Sequence, residues 1–332
     1  MTSSLRVAAT GVVVASLAMA GCSDDSSAAG SGRPQVIASS YPFGFVVEQV
    51  GGDLIDAQNL TAPGQEPHDL ELSPRQLADL TEADLVVYES GFQPAVDDGL
   101  VEADLPEDAV LDVAQFVAVE VTGFSTEHED EHADEHGEHG GHADHSEEDA
   151  DEHEGASEGE PDPHVWLDPV RMVEITAAVQ DHLIAMDPDN EQTYRDNAAA
   201  LTAQLEELDA AYEGRLARCE RRTIVTGHAA FAYLAERYDL KQVAIAGINP
   251  SAEPTPEQQA EVADLVEREG ITTVFTEALV SSDVAESIAD ETGVRLAQLD
   301  PIEGLSDGTA DQTYLTLMKA NLAAIEEANG CS

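Results

Sequence analysis

Short β-rich runs alternate with helical patterns along this chain in two groups, and that alternation restricts the fold more than any other feature. The first group is VIASSY at 36–41, AQNLT at 57–61, LVVYES at 85–90 and VLDV at 110–113. The second is TIVTGH at 223–228, QVAIAGIN at 242–249, ITTVFTE at 271–277 and VRLAQLD at 294–300. Strands separated by helix-length segments cannot close as hairpins and pair in parallel through crossovers, which makes the class α/β. Helix starts are marked: Ser73-Pro74-Arg75-Gln76 is a capping box with proline at the first helical position, and Thr255 with Gln258 opens a helix over Pro256 to Glu269 that Gly270 closes. Between the groups, Asp168-Pro169 starts one helix, with Asp168 placed as its N-cap, and Asp189 to Cys219 reads as another. At ~1.5 Å per residue the latter spans ~45 Å, more than one small lobe needs. The expected architecture is two lobes, each a four-stranded parallel sheet flanked by helices, joined by a long rigid helix with a cleft between the lobes.

The amino terminus and the cysteines fix the compartment. Val7 to Ala20 is an unbroken run of small and apolar residues, shorter than the ~20 that span a bilayer, and it ends in Met19-Ala20-Gly21-Cys22. It reads as an export signal with a lipobox, making Cys22 the lipidated first residue of a mature protein held outside the cytoplasm on the membrane. Ser23 to Gly32 then serves as a tether. Cys219 and Cys331 remain, an even pair in a compartment that permits disulfides, and they are expected to bond. Expected boundaries are 1–22 for the signal, 23–34 for the tether, 35–126 for the first lobe and 127–160 for a disordered loop. The connector and linking helix follow at 161–218, and the second lobe at 219–332.

Charge excludes one class of partner. With 68 Asp and Glu against 14 Lys and Arg the formal net charge is −54, and a nucleic-acid binder needs the basic patches this chain lacks. The most acidic stretch, Glu127 to Glu160, holds histidines 128, 132, 136, 139, 142, 145 and 153 among sixteen acids, with no aromatic or large aliphatic residue. Such a segment cannot bury enough apolar surface to order itself. His128 to His132 matches HExxH and His132 to His136 matches HxxEH, but those zinc-hydrolase patterns need a buried helix, so the matches follow from composition. What the tract offers is weak, mobile chelation through His128, His132, His136, His139, His142, His145 and His153.

Four histidines lie elsewhere. His182 falls inside a helix with no special context. His228 ends a strand, His68 follows another, and His164 precedes the connector; Asp300 ends the last strand. Ligands of parallel α/β sheets bind beyond the carboxyl ends of strands, so these four residues converge on the cleft.

Gly64 to Asp69, ADLVVYESGF at 83–92, Asp162-Pro163-His164-Val165-Trp166-Leu167-Asp168-Pro169, Thr226 to Phe231, Gly247 to Pro250 and Phe275-Thr276-Glu277 together resemble the solute-binding proteins of bacterial zinc and manganese ABC importers, from about Val36 to Cys331. The resemblance implies a metal buried between two lobes joined by a rigid helix. His68, His164 and His228 match its ligands. Asp300, in Leu299-Asp300-Pro301, matches a second-lobe carboxylate that ligates in some members and yields to water in others; Glu66 and Glu277 match recurrent acids near the cleft. Manganese-type members carry a carboxylate where His228 stands, so the match indicates zinc, and three imidazoles suit that ion. The function implied is a monomeric, non-enzymatic receptor that captures Zn²⁺ as transported ligand and passes it to an ABC permease. A manganese or iron receptor of the same class, a secreted zinc hydrolase and a surface adhesin are the alternatives.

Overall fold

Capping chemistry starts helices where the sequence places them. The computed structural model describes residues 32–116 and 162–332. The Ser73 and Thr255 side chains each accept a hydrogen bond from the backbone N–H three residues on, and the Gln76 and Gln258 side chains in turn accept one from the Ser73 and Thr255 backbone N–H, which opens α2 (Pro74–Glu82) and α7 (Pro256–Glu269). Gly270 ends α7 at φ +65°, a left-handed conformation that costs glycine little. The Asp168 carboxylate accepts from the Val170 N–H and opens α4 (Pro169–Met186). The same carboxylate takes a two-pronged grip from Arg237, with nitrogen to oxygen distances of 2.7–3.0 Å.

In the first lobe β1 (Gln35–Ala38), β2 (Asp56–Asn59), β3 (Leu85–Tyr88) and β4 (Val110–Asp112) form a parallel sheet in the order β2-β1-β3-β4. Helices α1 (Tyr41–Gly51), α2 and α3 (Pro94–Ala103) make the crossovers. The second lobe repeats the plan: β5 (Thr223–Thr226), β6 (Lys241–Ala244), β7 (Thr273–Thr276) and β8 (Arg295–Gln298) pair in parallel as β6-β5-β7-β8. Its helices are α6 (Ala232–Arg237), α7, α8 (Asp283–Thr292) and α9 (Tyr314–Asn329). All the strands expected from sequence are present, and the sheets are parallel as expected. In each order the chain reverses direction beside the first strand, which opens a crevice at the carboxyl edge.

The long helix α5 (Glu191–Leu216) is 26 residues, or ~39 Å, starting two residues later and ending three earlier than its sequence pattern. It packs on both lobes. Asn197 donates to the Val50 carbonyl of α1 at 3.0 Å, and the buried Tyr212 hydroxyl donates to the Met318 carbonyl of α9 at 2.7 Å. Between these contacts Leu201, Leu205 and Leu208 join one apolar core that runs from Val36 and Phe43 to Leu322 and Ile325. The lobes also meet directly: Phe45 stacks on Tyr314 with ring centroids 5.4 Å apart, and the Gly64 N–H donates to the Leu305 carbonyl at 2.7 Å. A continuous helix anchored at both ends resists the large backbone rotations of a hinge.

Cys219, just past α5, is bonded to Cys331, just past α9, as expected. The export signal, the lipidation of Cys22 and the His-rich tract with its HExxH match lie outside the described residues. Among the described residues no helix is long and apolar enough to cross a membrane.

The bridge closes a separation of 112 residues, so its removal should loosen the unfolded chain considerably. Replacing both cysteines by serine is expected to lower unfolding free energy by about 2–5 kcal/mol, read as a fall in the urea midpoint together with a rise in the m-value, because the uncrosslinked denatured chain exposes more surface.

Candidate metal centre

Each donor of the cleft is placed by the end of a different element. His68 lies in the loop after β2, and His164 opens the short turn Val165–Leu167 that leads into α4. His228 follows β5 by two residues, and Glu303 lies in the loop after β8. These four residues offer donor atoms all within 4.8 Å of one another.

Glu303 is the hub. Its Oε1 stands 2.9 Å from His164 Nε2, 3.0 Å from His228 Nε2 and 3.5 Å from His68 Nε2. The Nε2 atoms of His164 and His228 are 3.3 Å apart. A tetrahedral ion with bonds of 2.0–2.1 Å needs donor-to-donor edges of roughly 3.3–3.4 Å. These four edges, 2.9–3.5 Å, fall around that value while the whole group spans up to 4.8 Å, and His68 Nε2 is buried without a hydrogen-bond partner. The donor set therefore fits a small four-coordinate cation that prefers imidazole.

Second carboxylates fix the two deepest rings. Asp162 Oδ1 lies 2.6 Å from His164 Nδ1 and accepts the His164 backbone N–H at 2.9 Å. Glu277 does the same for His228, with Oε2 2.6 Å from Nδ1 and Oε1 accepting the backbone N–H at 2.9 Å. Carboxylates accept, so both Nδ1 atoms carry the proton and both Nε2 atoms turn to the centre. His228 and Glu277 follow β5 and β7, the neighbours at the crevice of the second sheet. Gly227 makes this approach feasible: a Cβ there would lie 2.5 Å from Glu277 Oε1.

The centre is dry. His164, His228 and Glu303 are buried, and the rings of Phe92 and Trp166 wall the first-lobe side, with Phe92 4.8 Å from His68 and Trp166 5.3 Å from His164 between centroids. Burial opposes charge on His164, but Asp162 and Glu303 outweigh it and raise its pKa. On His228 burial likewise opposes charge, and Glu277 with Glu303 lifts the pKa well above the ordinary imidazole value. Burial alone would raise Glu303, yet the facing imidazoles, His228 foremost, hold it well below the usual carboxylate range. His68 has only Glu303 against burial and is shifted down.

The other acids named from sequence stand beside the cluster. Glu66 accepts the backbone N–H groups of His68 and Asp69 at 3.2 and 3.1 Å, shaping the loop that carries His68; burial, with Glu303 adding, pushes its pKa up to about 7. Glu277 orients His228. Asp300, named as the second-lobe carboxylate, lies outside the group of four, and Glu303 occupies that place. The reason is local: Asp300 Oδ1 accepts the Ile302 N–H at 2.8 Å, and the turn this closes carries the next residue into the cleft. Glu303 could have been noticed as a carboxylate set between Ile302 and Gly304 in the same loop. Nothing in its spacing from the histidines distinguishes it from Asp300. Asp162 stands two residues before His164 in the Asp162–Pro169 motif, where nothing local marks it as the partner of that ring. His182 is set apart on α4, its Nδ1 2.9 Å from the Ala178 carbonyl.

The model of the family described as zinc-uptake complex component A, periplasmic, matches residues 36–328. The zinc-binding lipoprotein AdcA of Streptococcus pneumoniae (strain ATCC BAA-255 / R6) is 34% identical over 316 residues, covering 94% of this chain and 58% of that protein. The chain thus spans little more than half the length of that relative. The high-affinity zinc uptake system protein ZnuA of Bacillus subtilis (strain 168) is 32% identical over 298 residues, 88% of this chain and 86% of that one. Among solved structures, the Zn(II)-bound ZnuA-like domain of S. pneumoniae AdcA superimposes with a TM-score of 0.68 at 30% identity, covering 90% of this chain and 99% of that one.

Glu89, at the end of β3, is a buried carboxyl beyond Asp162, with Oε2 lacking a hydrogen-bond partner. Burial, with Asp162 and Asp112 adding, raises its pKa well above the usual value. A group whose folded pKa is raised gives stability that is complete below the unfolded pKa and is lost as pH rises toward the folded one. Glu89→Gln cannot ionise in either state, so its stability relative to the parent should grow from pH 4 to pH 8. Urea unfolding at both pH values measures this, and a gap that shrinks with rising pH would contradict a neutral Glu89.

Proposed function

Because the chain belongs to the zinc-uptake complex component A family, we propose that it is an extracytoplasmic receptor that binds Zn²⁺ between its lobes and hands it to the membrane permease of an ABC importer. The observation that carries this reading is the meeting of His68, His164, His228 and Glu303 within 4.8 Å. Zinc is the cargo. Three neutral imidazoles and one carboxylate suit a borderline tetrahedral cation better than manganese, which favours oxygen donors and higher coordination. Four protein donors leave no open position for an activated water, so the site stores an ion and does not use it for hydrolysis.

Capture follows from where the donors come from. The first lobe supplies His68, the start of the connector His164, and the second lobe His228 and Glu303, so an entering ion ties both lobes together. Asp162 and Glu277 have already aimed two rings, which spares the ion the cost of ordering them. The anchored α5 keeps the lobes near their resting separation, and exchange of the ion proceeds through the loop bearing His68, the least buried of the four donors. The chain acts as a monomer carrying one tight site, with the boundaries read from its sequence. Cys22 would hold the protein to the membrane by lipid, and the histidines of 127–160, outside the described residues, would collect zinc loosely nearby.

Competition against a chelator of known zinc affinity tests the site. His164→Ala or His228→Ala should lose more than the roughly 10–100-fold that removal of an outer partner costs, whereas Asp162→Ala or Glu277→Ala should fall within that range. Full affinity in His228→Ala would overturn the assignment. Deleting residues 127–160 should lower the number of zinc ions bound per chain in equilibrium dialysis while leaving the tightest site intact. Loss of that site with the deletion would contradict the proposed division of labour.

A further inference from the structure

Ile302 has φ +59° and is fully buried. Among the described residues the other non-glycine positions with positive φ are Asp104 and Asp239, a residue type that tolerates the left-handed region. A β-branched side chain does not, and a proline followed by a left-handed residue is a turn that favours glycine at the second position. Something must hold Ile302 there. Asp300 Oδ1 accepts its N–H at 2.8 Å, an Asx turn around Pro301. Asp300 is itself clamped by the buried Asn321 of α9, whose Oδ1 accepts the Asp300 N–H at 2.9 Å and whose Nδ2 donates to the Asp300 carbonyl at 2.6 Å. The Pro301 carbonyl accepts the Trp166 indole N–H at 2.7 Å. Every residue from 300 to 302 is therefore pinned, and the next one is Glu303.

We infer that Asp300 is a positioning residue for zinc binding: its carboxylate locks Ile302 in a left-handed turn, and that turn delivers Glu303 Oε1 to the three imidazoles. The inference rests on the zinc-receptor reading and deepens it by giving a distinct task to the acid that a sequence comparison takes for a ligand. The arrangement makes a specific demand. Asp300 matters because residue 302 has a Cβ that resists the turn, so a glycine at 302, which enters that region freely, should make Asp300 largely dispensable. A carboxylate acting on the ion, or one serving only general stability, would matter equally in both backgrounds.

The experiment measures zinc affinity by chelator competition and the visible absorption of the Co²⁺-loaded protein for the parent, D300A, D300N, I302G, D300A/I302G and E303Q. D300A should bind zinc about tenfold or more weakly, the scale of one strained residue left unsupported, and its Co²⁺ bands should move toward those of E303Q, which reports loss of the carboxylate. D300N keeps the acceptor oxygen and should stay within about threefold of the parent. D300A/I302G should match I302G within about threefold. Parental affinity and spectrum in D300A would overturn the inference, as would equal losses in D300N and D300A, or an undiminished effect of D300A in the I302G background. Should D300A fail to fold, the comparison of D300A/I302G with I302G decides alone: a tenfold gap overturns the inference and agreement supports it. If E303Q binds zinc as tightly as the parent, the metal-site reading fails, an outcome separate from any result with Asp300.

Discussion

Three imidazoles gathered in a buried cleft repel one another once they are protonated, and a single buried carboxylate oxygen relieves that conflict. Glu303 Oε1 sits within 3.5 Å of all three Nε2 atoms. Its charge is stabilised by them, and theirs by it, in surroundings where neither would be tolerated alone. The surrounding geometry serves this one contact: carboxylates behind His164 and His228 set the rings, and a strained turn sets the glutamate.

The two sheets explain why the donors come from the places they do. In both strand orders the crevice opens at the carboxyl edge beside the first strand. His228 and Glu277 leave adjacent strands at that point and bond to each other, so the second lobe presents its ring already oriented. The first lobe contributes His68 on a loop whose backbone is tied by Glu66. Rigidity between the lobes comes from α5 and from a core that does not stop at the lobe boundary. A protein built this way keeps the four donor groups close together through contacts between its lobes.

Much of this was legible in the chain. The strand and helix pattern, the capping boxes at Ser73 and Thr255, the cap at Asp168 and the pairing of Cys219 with Cys331 depend on chemistry within a few residues or on parity, and all are present. The three cleft histidines stood out because they follow strand ends or precede the connector. The acids were harder to sort. Glu277, Asp300 and Glu303 are all carboxylates beyond strand ends of the second sheet, with Glu66 in a loop of the first lobe, and strand position alone does not rank them.

Sequence alone determined the two-lobed plan, the bridging helix and the histidines that face the cleft, because periodicity and strand position are carried by local residue types. The tertiary structure decided which carboxylate joins them. That choice turns on a positive φ at Ile302, held by Asp300, Asn321 and Trp166, residues up to 135 positions from their hydrogen-bond partners in the loop. A backbone conformation that violates its residue's own preference leaves no trace in local sequence, since only distant contacts make it stable.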